Sequence, residues 1–163
     1  MSHTELKGDI MEYRRATAED VDVLVERRMA MRAEREEAPC PIDPEEFRAR
    51  TLEYFRSHVP DGRFIAWLAV DAGAVVATSG MCIYDVPPTY GNHSGRVAYL
   101  VNMYTLPEYR GRGIAARLLE LLVIEAVEKG CGRITLNTSK AGRPVYEKYG
   151  FVDVPGEMEF FPD

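Results

Sequence analysis

Apolar and polar positions change period several times along the chain, and each change marks an element. From Asp9 to Ala16, Ile10, Glu12 and Arg14 interleave with Met11, Tyr13 and Arg15, a weak strand pattern. Thr17-Ala18-Glu19-Asp20 then reads as an N-cap with acids in the first turn, the second acid standing where a capping box usually has Glu. Val21, Leu24, Val25 and Arg28-Met29 continue at helical spacing towards Glu37, where Pro39, Pro41 and Pro44 break the helix. A second helix follows, with Asp43 as cap, Pro44 at its first position, and Phe47, Tyr54 and Phe55 on one side.

The period then shortens. Phe64 to Val70 and Val75 to Tyr84 are rich in β-formers, and Asp71-Ala72-Gly73 between them reads as a hairpin turn. A Pro- and Gly-punctuated loop, 87–95, leads to a strand from Val97 to Leu106. Gly113 to Lys129 is the clearest helix: Ile114, Leu118, Leu121 and Leu122 form a stripe, Arg117, Glu120 and Glu128 lie opposite, and Gly130 and Gly132 end it. A short strand (Arg133–Thr138), a short helix (Gly142–Lys148) and two closing strands (Phe151–Val154 and Glu157–Phe161) complete the pattern. The order β-α-α-β-β-β-α-β-α-β-β predicts one α/β domain over 9–163, a mixed sheet with helices on both faces, after a loose polar segment at 1–8.

Composition narrows the classes. With 163 residues, 46% hydrophobic and 28% charged, the chain has the mix of a single ordinary globule. Its longest apolar run, Phe64 to Val70, falls far short of the ~20 residues a membrane helix needs. His3, Glu5, Lys7 and Asp9 stand where a signal peptide would be apolar, so neither membrane nor secretion is expected. A net charge of −6 excludes a whole-surface basic footprint for nucleic acid and leaves room only for a local basic patch, so no nucleic-acid partner is expected. Cys40, Cys82 and Cys131 are odd in number and scattered, which predicts no metal site, no disulfide framework and a cytoplasmic location.

The chemistry concentrates where Leu106-Pro107-Glu108-Tyr109-Arg110-Gly111-Arg112-Gly113-Ile114-Ala115 joins a strand to the long helix. A helix start leaves backbone N–H groups unpaired and carries partial positive charge. Gly111 and Gly113 remove side chains and permit positive φ there, while Arg110 and Arg112 add forked cationic donors. Together they suit a pyrophosphate. The spacing is that of neither the P-loop nor the dinucleotide fingerprint.

Arg110-Gly111-Arg112-Gly113-Ile114-Ala115 resembles the Gln/Arg-x-x-Gly-x-Gly/Ala signature of the GCN5-related N-acetyltransferases, with Ala115 at the last position. Pro144-Val145-Tyr146-Glu147-Lys148-Tyr149-Gly150-Phe151 resembles the same family's closing segment, Tyr-Glu-Lys-x-Gly-Phe. The resemblance implies a mostly antiparallel mixed sheet and acetyl-CoA as co-substrate, with no metal. It puts acetyl-CoA between the strands Val97–Leu106 and Arg133–Thr138, splayed apart. Backbone groups of Met103, Tyr104 and Thr105 would pair with the pantetheine arm, Ile114 and Ala115 would open the phosphate-binding helix, and Asn137 and Ser139 would add side-chain contacts.

Tyr146 is implied as the acid that protonates the departing thiolate. The strand stretch Tyr99-Leu100-Val101-Asn102 lacks the carboxylate base of some members, which leaves Asn102 or Tyr99 to hold a proton-carrying water. Glu34, Glu36, Glu37 and Asp85 border the expected acceptor pocket, as cation-attracting groups or as solvated surface charges. His58 and His93 read as exposed and Trp67 as part of the sheet. The expected activity is acetyl transfer to a primary amine, of a small molecule, by direct attack without an acyl-enzyme. A catalytically silent CoA-binding sensor or partner module is the alternative, and a peptide or protein acceptor the alternative within the class. A homodimer is common in the resembled family.

Overall fold

The computed structural model describes residues 10–35 and 42–162. The segment 1–8, and with it Glu36, Glu37 and Cys40, lies outside the described residues. Six strands form one sheet: β1 (Glu12–Arg15), β2 (Phe64–Ile65), β3 (Trp67–Asp71), β4 (Ala74–Asp85), β5 (Arg96–Thr105) and β6 (Arg133–Leu136). The order is β1-β3-β4-β5-β6, with β2 also on β4, and every pairing is antiparallel except β5 with β6. Helices α1 (Val21–Glu34) and α2 (Pro44–His58) cover one face, and α3 (Ile114–Glu128) covers the other with α4 (Arg143–Tyr149) beside it.

Local chemistry accounts for the boundaries. The Thr17 hydroxyl accepts from Glu19 N–H, and Asp20 returns a bond to the Thr17 N–H at 2.8 Å, so a capping box starts the path into α1. Asp43 caps α2, with Pro44 next. Ala72 and Gly73 have φ of 48° and 82°, the left-handed pair that a two-residue hairpin needs between Asp71 and Ala74. Alternation along the strands then divides the core. Phe64, Ala66, Leu68 and Val70 pack under Val21, Leu24, Val25 and Phe55, while Ile65, Ala69, Met81 and Leu100 lie with the α3 side's Leu118, Leu119 and Leu122. Each such fully buried side chain stabilises the fold by roughly 1.5–3 kcal/mol.

Four expectations are corrected. The run Phe64–Val70 is two strands, because the chain breaks its ladder at Ala66, whose carbonyl accepts from Ala16 N–H. Helix α1 stops at Glu34, before the prolines. In α3, Leu119 is wholly buried and Leu121 only half-buried, so the stripe is rotated by part of a turn from the one expected. The segments Phe151–Val154 and Glu157–Phe161 form no strand. Alternation alone does not make a ladder; a strand needs an edge to pair with. This stretch is held instead by Phe151 against Tyr146, by Asp153 on Arg143 and by Glu157 on Arg133. Met158, Phe160 and Phe161 stay exposed.

Candidate active site

The loop between β5 and α3 is built for a ligand with many acceptor atoms. Gly111 and Gly113 have φ of 74° and 78°, a conformation that side chains resist, and a Cβ on either would meet only open space. Gly113 is the N-cap of α3 and offers no side chain to the helix's first N–H groups. Those donors and the positive end of a 15-residue helix therefore face the loop uncapped, which suits the phosphates of a CoA molecule. Ile114 is buried and anchors the turn, while Ala115, next along the helix, keeps the side chain there small.

The two arginines behave differently from simple phosphate donors. Arg110 donates from Nε to the Thr105 carbonyl at 2.9 Å and from Nη2 to both Glu34 oxygens at 2.7 and 3.0 Å. Its guanidinium lies 5.5 Å from the Tyr104 ring centroid, and the Tyr104 hydroxyl donates to the same Glu34 at 2.7 Å. These two donors hold the Glu34 carboxyl below the usual range. Arg110 thus ties the end of α1 to the loop. Arg112 lies over the Tyr109 ring, at 4.9 Å, and donates to the Glu108 carbonyl.

Strand β5 contains an irregularity at the expected place. Its pairing with β4 shifts between Thr78 and Gly80, and Asn102 opposite has φ of 59°. Asn102 is 2% exposed, its carbonyl accepts from the Thr78 hydroxyl, and both polar atoms of its carboxamide are buried without a partner. A buried carboxamide left unpaired is costly and suits an ordered water. Parallel pairing with β6 runs from Val97–Arg133 to Leu100–Leu136, where β6 ends. Past that point Met103, Tyr104 and Thr105 continue along β4 with their other edge turned to the gap.

Helix α4 borders this gap. Tyr146 packs among Leu100, Leu136, Val145 and Phe151, its ring edge-on to Phe151 at 5.9 Å. Burial pushes its phenol up to about 12, while Arg35 pulls the other way. The hydroxyl therefore stays a donor through the whole working range of an enzyme. Ser139 is part of the turn into α4, its hydroxyl accepting from Gly142 N–H at 3.2 Å. Asn137 donates to the Tyr99 hydroxyl at 3.1 Å.

On the α1 and α2 face, Cys82 and Tyr99 are direct cross-strand neighbours. The Cys82 thiol lies 3.2 Å from the Tyr54 hydroxyl, which is stacked on His58 with centroids 4.0 Å apart. Of the acids expected to draw a cation, the two among the described residues are already engaged: Glu34 with Arg110, and Asp85 with Arg96. His93 is exposed in its loop, and Trp67 donates to Glu125 in the sheet's polar margin. Sequence reasoning missed the contact of Cys82 with Tyr54 and the tie between Arg110 and Glu34. It also missed the row of arginines on α1, although their i, i+4, i+7 spacing was open to inspection.

The fold and site define a class. The family model described as the acetyltransferase (GNAT) family matches residues 28–151, and the chain belongs to that family of acetyl-CoA-dependent N-acetyltransferases. A predicted acetyltransferase of Clostridium acetobutylicum, solved with acetyl-CoA, is 38% identical and superposes with a TM-score of 0.85 over 93% of this chain and 96% of that one. A GCN5-related N-acetyltransferase of Ralstonia eutropha shares the fold at 22% identity and a TM-score of 0.84, over 93% and 99%. Thialysine N-epsilon-acetyltransferase of Bos taurus is 32% identical over 69 residues, 40% of this chain. Glucosamine 6-phosphate N-acetyltransferase of Trypanosoma brucei brucei is 29% identical over 79 residues, 48% of this chain. The matched stretch spans about two fifths (41%) of the first relative's length and 52% of the second's.

Proposed function

We propose that this protein transfers the acetyl group of acetyl-CoA to the primary amine of a small molecule, by direct attack without an acyl-enzyme. The observation that carries the reading is the left-handed Gly111 and Gly113 pair at the uncapped start of α3, beside a β5 edge that β6 leaves at Leu100. Acetyl-CoA supplies an activated thioester. The chain's residues position it: the N–H groups of the Arg110–Ala115 loop hold its phosphates, and Met103, Tyr104 and Thr105 align its pantetheine arm as an added strand. Asn137 lies on the gap's far side as a further polar contact, and the Ser139 contact is indirect, through the turn that sets α4.

Tyr146 donates a hydrogen bond to the departing sulfur. With a phenol near 12 and a thiol near ~8.5–9, full proton transfer is uphill by about three units, so stabilisation of the thiolate by that bond is its main contribution. Asn102 holds the water that takes the amine's proton, and its unpaired carboxamide is the feature that favours this role. The bulge at Asn102 also frees backbone N–H for the developing oxyanion. The thialysine and glucosamine 6-phosphate enzymes among the relatives support a small-molecule acceptor.

One observation favours a second reading, a CoA-binding module without turnover: no acid stands on β5 between Tyr99 and Asn102. Thiol release from acetyl-CoA across amines, amino acids, polyamines, amino sugars and short peptides, with product masses, separates the two. A mass gain on an amine confirms transfer. Tight CoA binding with no product on any acceptor selects the silent module, and failure to bind CoA overturns both.

A further inference from the structure

The stripe by which α1 packs on the sheet changes chemistry halfway. Val21, Leu24 and Val25 are buried against β3 and Phe55. Beyond them Met29 still packs on that core, but Arg28 and Arg32 follow at three- and four-residue steps, and Arg35 stands just past the helix end, all three arginines half-buried. A helix that needed only core would carry leucines there. Instead, three guanidinium groups follow one another along a line that begins over the sheet and ends towards Tyr146.

Arg28 is the informative member. It makes no hydrogen bond or ion pair among the described residues, and the groups there that act on its charge are Arg32, Arg35, Cys82 and Tyr54, none of them a carboxylate. Burial and the like charges of Arg32 and Arg35 pull its guanidinium below the usual range. Among the described residues, the two acids of α1 that flank it in sequence are taken: Glu34 belongs to Arg110 and Tyr104, and Glu26 to Arg48. A half-buried cation without a counter-charge costs free energy in the free protein and gains it back when an anion arrives. Cys82 and Tyr99 form the floor beneath, side by side on β4 and β5, and Tyr99 leads through Asn137 to the gap between β5 and β6.

We propose that the acceptor amine carries an anionic group, a carboxylate or a phosphate, which Arg28 binds over Cys82 and Tyr99 while the amine reaches the acetyl group beside Tyr146. The proposal deepens the acetyltransferase reading and rests on it. The positive field of the row also disfavours an ammonium over a free amine, which supplies part of what a strand carboxylate would otherwise do.

Matched pairs test this: amino acids against their decarboxylated amines, and O-phosphoethanolamine against ethanolamine, each assayed by thiol release. The expected result is kcat/KM roughly 30-fold or more higher for the anionic member of at least one pair. Arg28→Gln should erase most of that preference with the KM for acetyl-CoA unchanged, and Arg28→Lys should restore part of it. The carboxylate and phosphate arms tell which anion is used. Equal rates within every pair, or an Arg28→Gln enzyme with the preference intact, overturn the proposal and leave the acetyltransferase reading standing. Calorimetric titration of the CoA-loaded protein with the N-acetylated members of the same pairs reads the anion site without turnover. Preferential binding there with no turnover of any amine fells the enzyme reading and keeps the anion site; equal or absent binding fells the anion site.

Discussion

Helices α1 and α3 lie on opposite faces of one sheet and are nearly equal in length, with 14 and 15 residues, yet they spend their sheet-facing stripes differently. In α3 the stripe is apolar from Ile114 to Ala126, and its one buried charge, Glu125, accepts from Trp67 at 2.8 Å and pairs with Arg15. Its chemistry sits at its uncapped N-terminus. In α1 the fully buried apolar stripe ends at Val25; beyond it only the half-buried Met29 still packs on that core, and half-buried arginines share the helix with it. In the proposed reading α3 holds a ligand with its end and α1 holds one with its side. A helix end offers the same N–H groups whatever the side chains, so one backbone geometry serves every enzyme that uses the same co-substrate. A helix side is only as specific as its residues, and in the proposed reading the acceptor is chosen there.

The α3 side should give the largest effect. Gly113→Val puts a β-branched residue at φ 78° and a side chain into the space beside the first N–H groups, so affinity for CoA should fall about 100-fold. Isothermal titration reads this, with circular dichroism to confirm that α3 persists. Unchanged affinity in a folded variant would place the phosphates elsewhere and erase the contrast between the helices.

The second effect belongs to the gap between them. Tyr146→Phe should lower kcat by at least ~tenfold, less than the ~10²–10⁴ of full general-acid catalysis because a hydrogen bond to the thiolate is the main contribution, with the dissociation constant for acetyl-CoA nearly unchanged. Because burial holds the phenol near 12, ionisation of Tyr146 should remove no activity below about pH 10.5. The sign is fixed: the protonated form is the working one, and a raised value extends its range upward. An alkaline limb near pH ~10 that vanishes in Tyr146→Phe would show an ordinary, solvated phenol.

Legibility in the sequence followed the same division. The Arg110–Ala115 loop and the Tyr146 helix were readable because backbone geometry leaves a fixed signature, two glycines with positive φ and a proline-led short helix. The splay between β5 and β6 followed from the family resemblance. What the sequence withheld depends on distant parts of the chain meeting. Glu34 and Arg110 are 76 residues apart, and Tyr54 and Cys82 are 28 apart, so neither contact leaves a local pattern. The closing segment fails for the opposite reason: its alternation is local and clear, but no edge pairs with it. Arg28, Arg32 and Arg35 had a helical period all along, and only the structure shows that all three are half-buried.

The smallest effect separates the two halves of α1. Asp20, 7% exposed, starts the helix by accepting from Arg14 at 2.7 and 2.8 Å and from the Thr17 N–H, and these bonds lower its carboxyl below the ordinary value. Asp20→Asn loses the charge that all three donors share, at a cost of roughly 1–3 kcal/mol, or about 3–10 °C in Tm for a domain of this size. A carboxyl whose folded pKa is depressed stabilises fully above its unfolded value near ~3.9 and loses that contribution as pH falls through the folded one. The difference in Tm between the two proteins should therefore be full at pH 7 and shrink below about pH 4. Because the cap supports the apolar half of α1, KM for an anionic acceptor should stay within about twofold at temperatures where both proteins are folded, in contrast to Arg28→Gln. A rise in KM matching that of Arg28→Gln would mean that the arginine row is set by the helix's start as much as by its own packing, and that α1 works as a single lever.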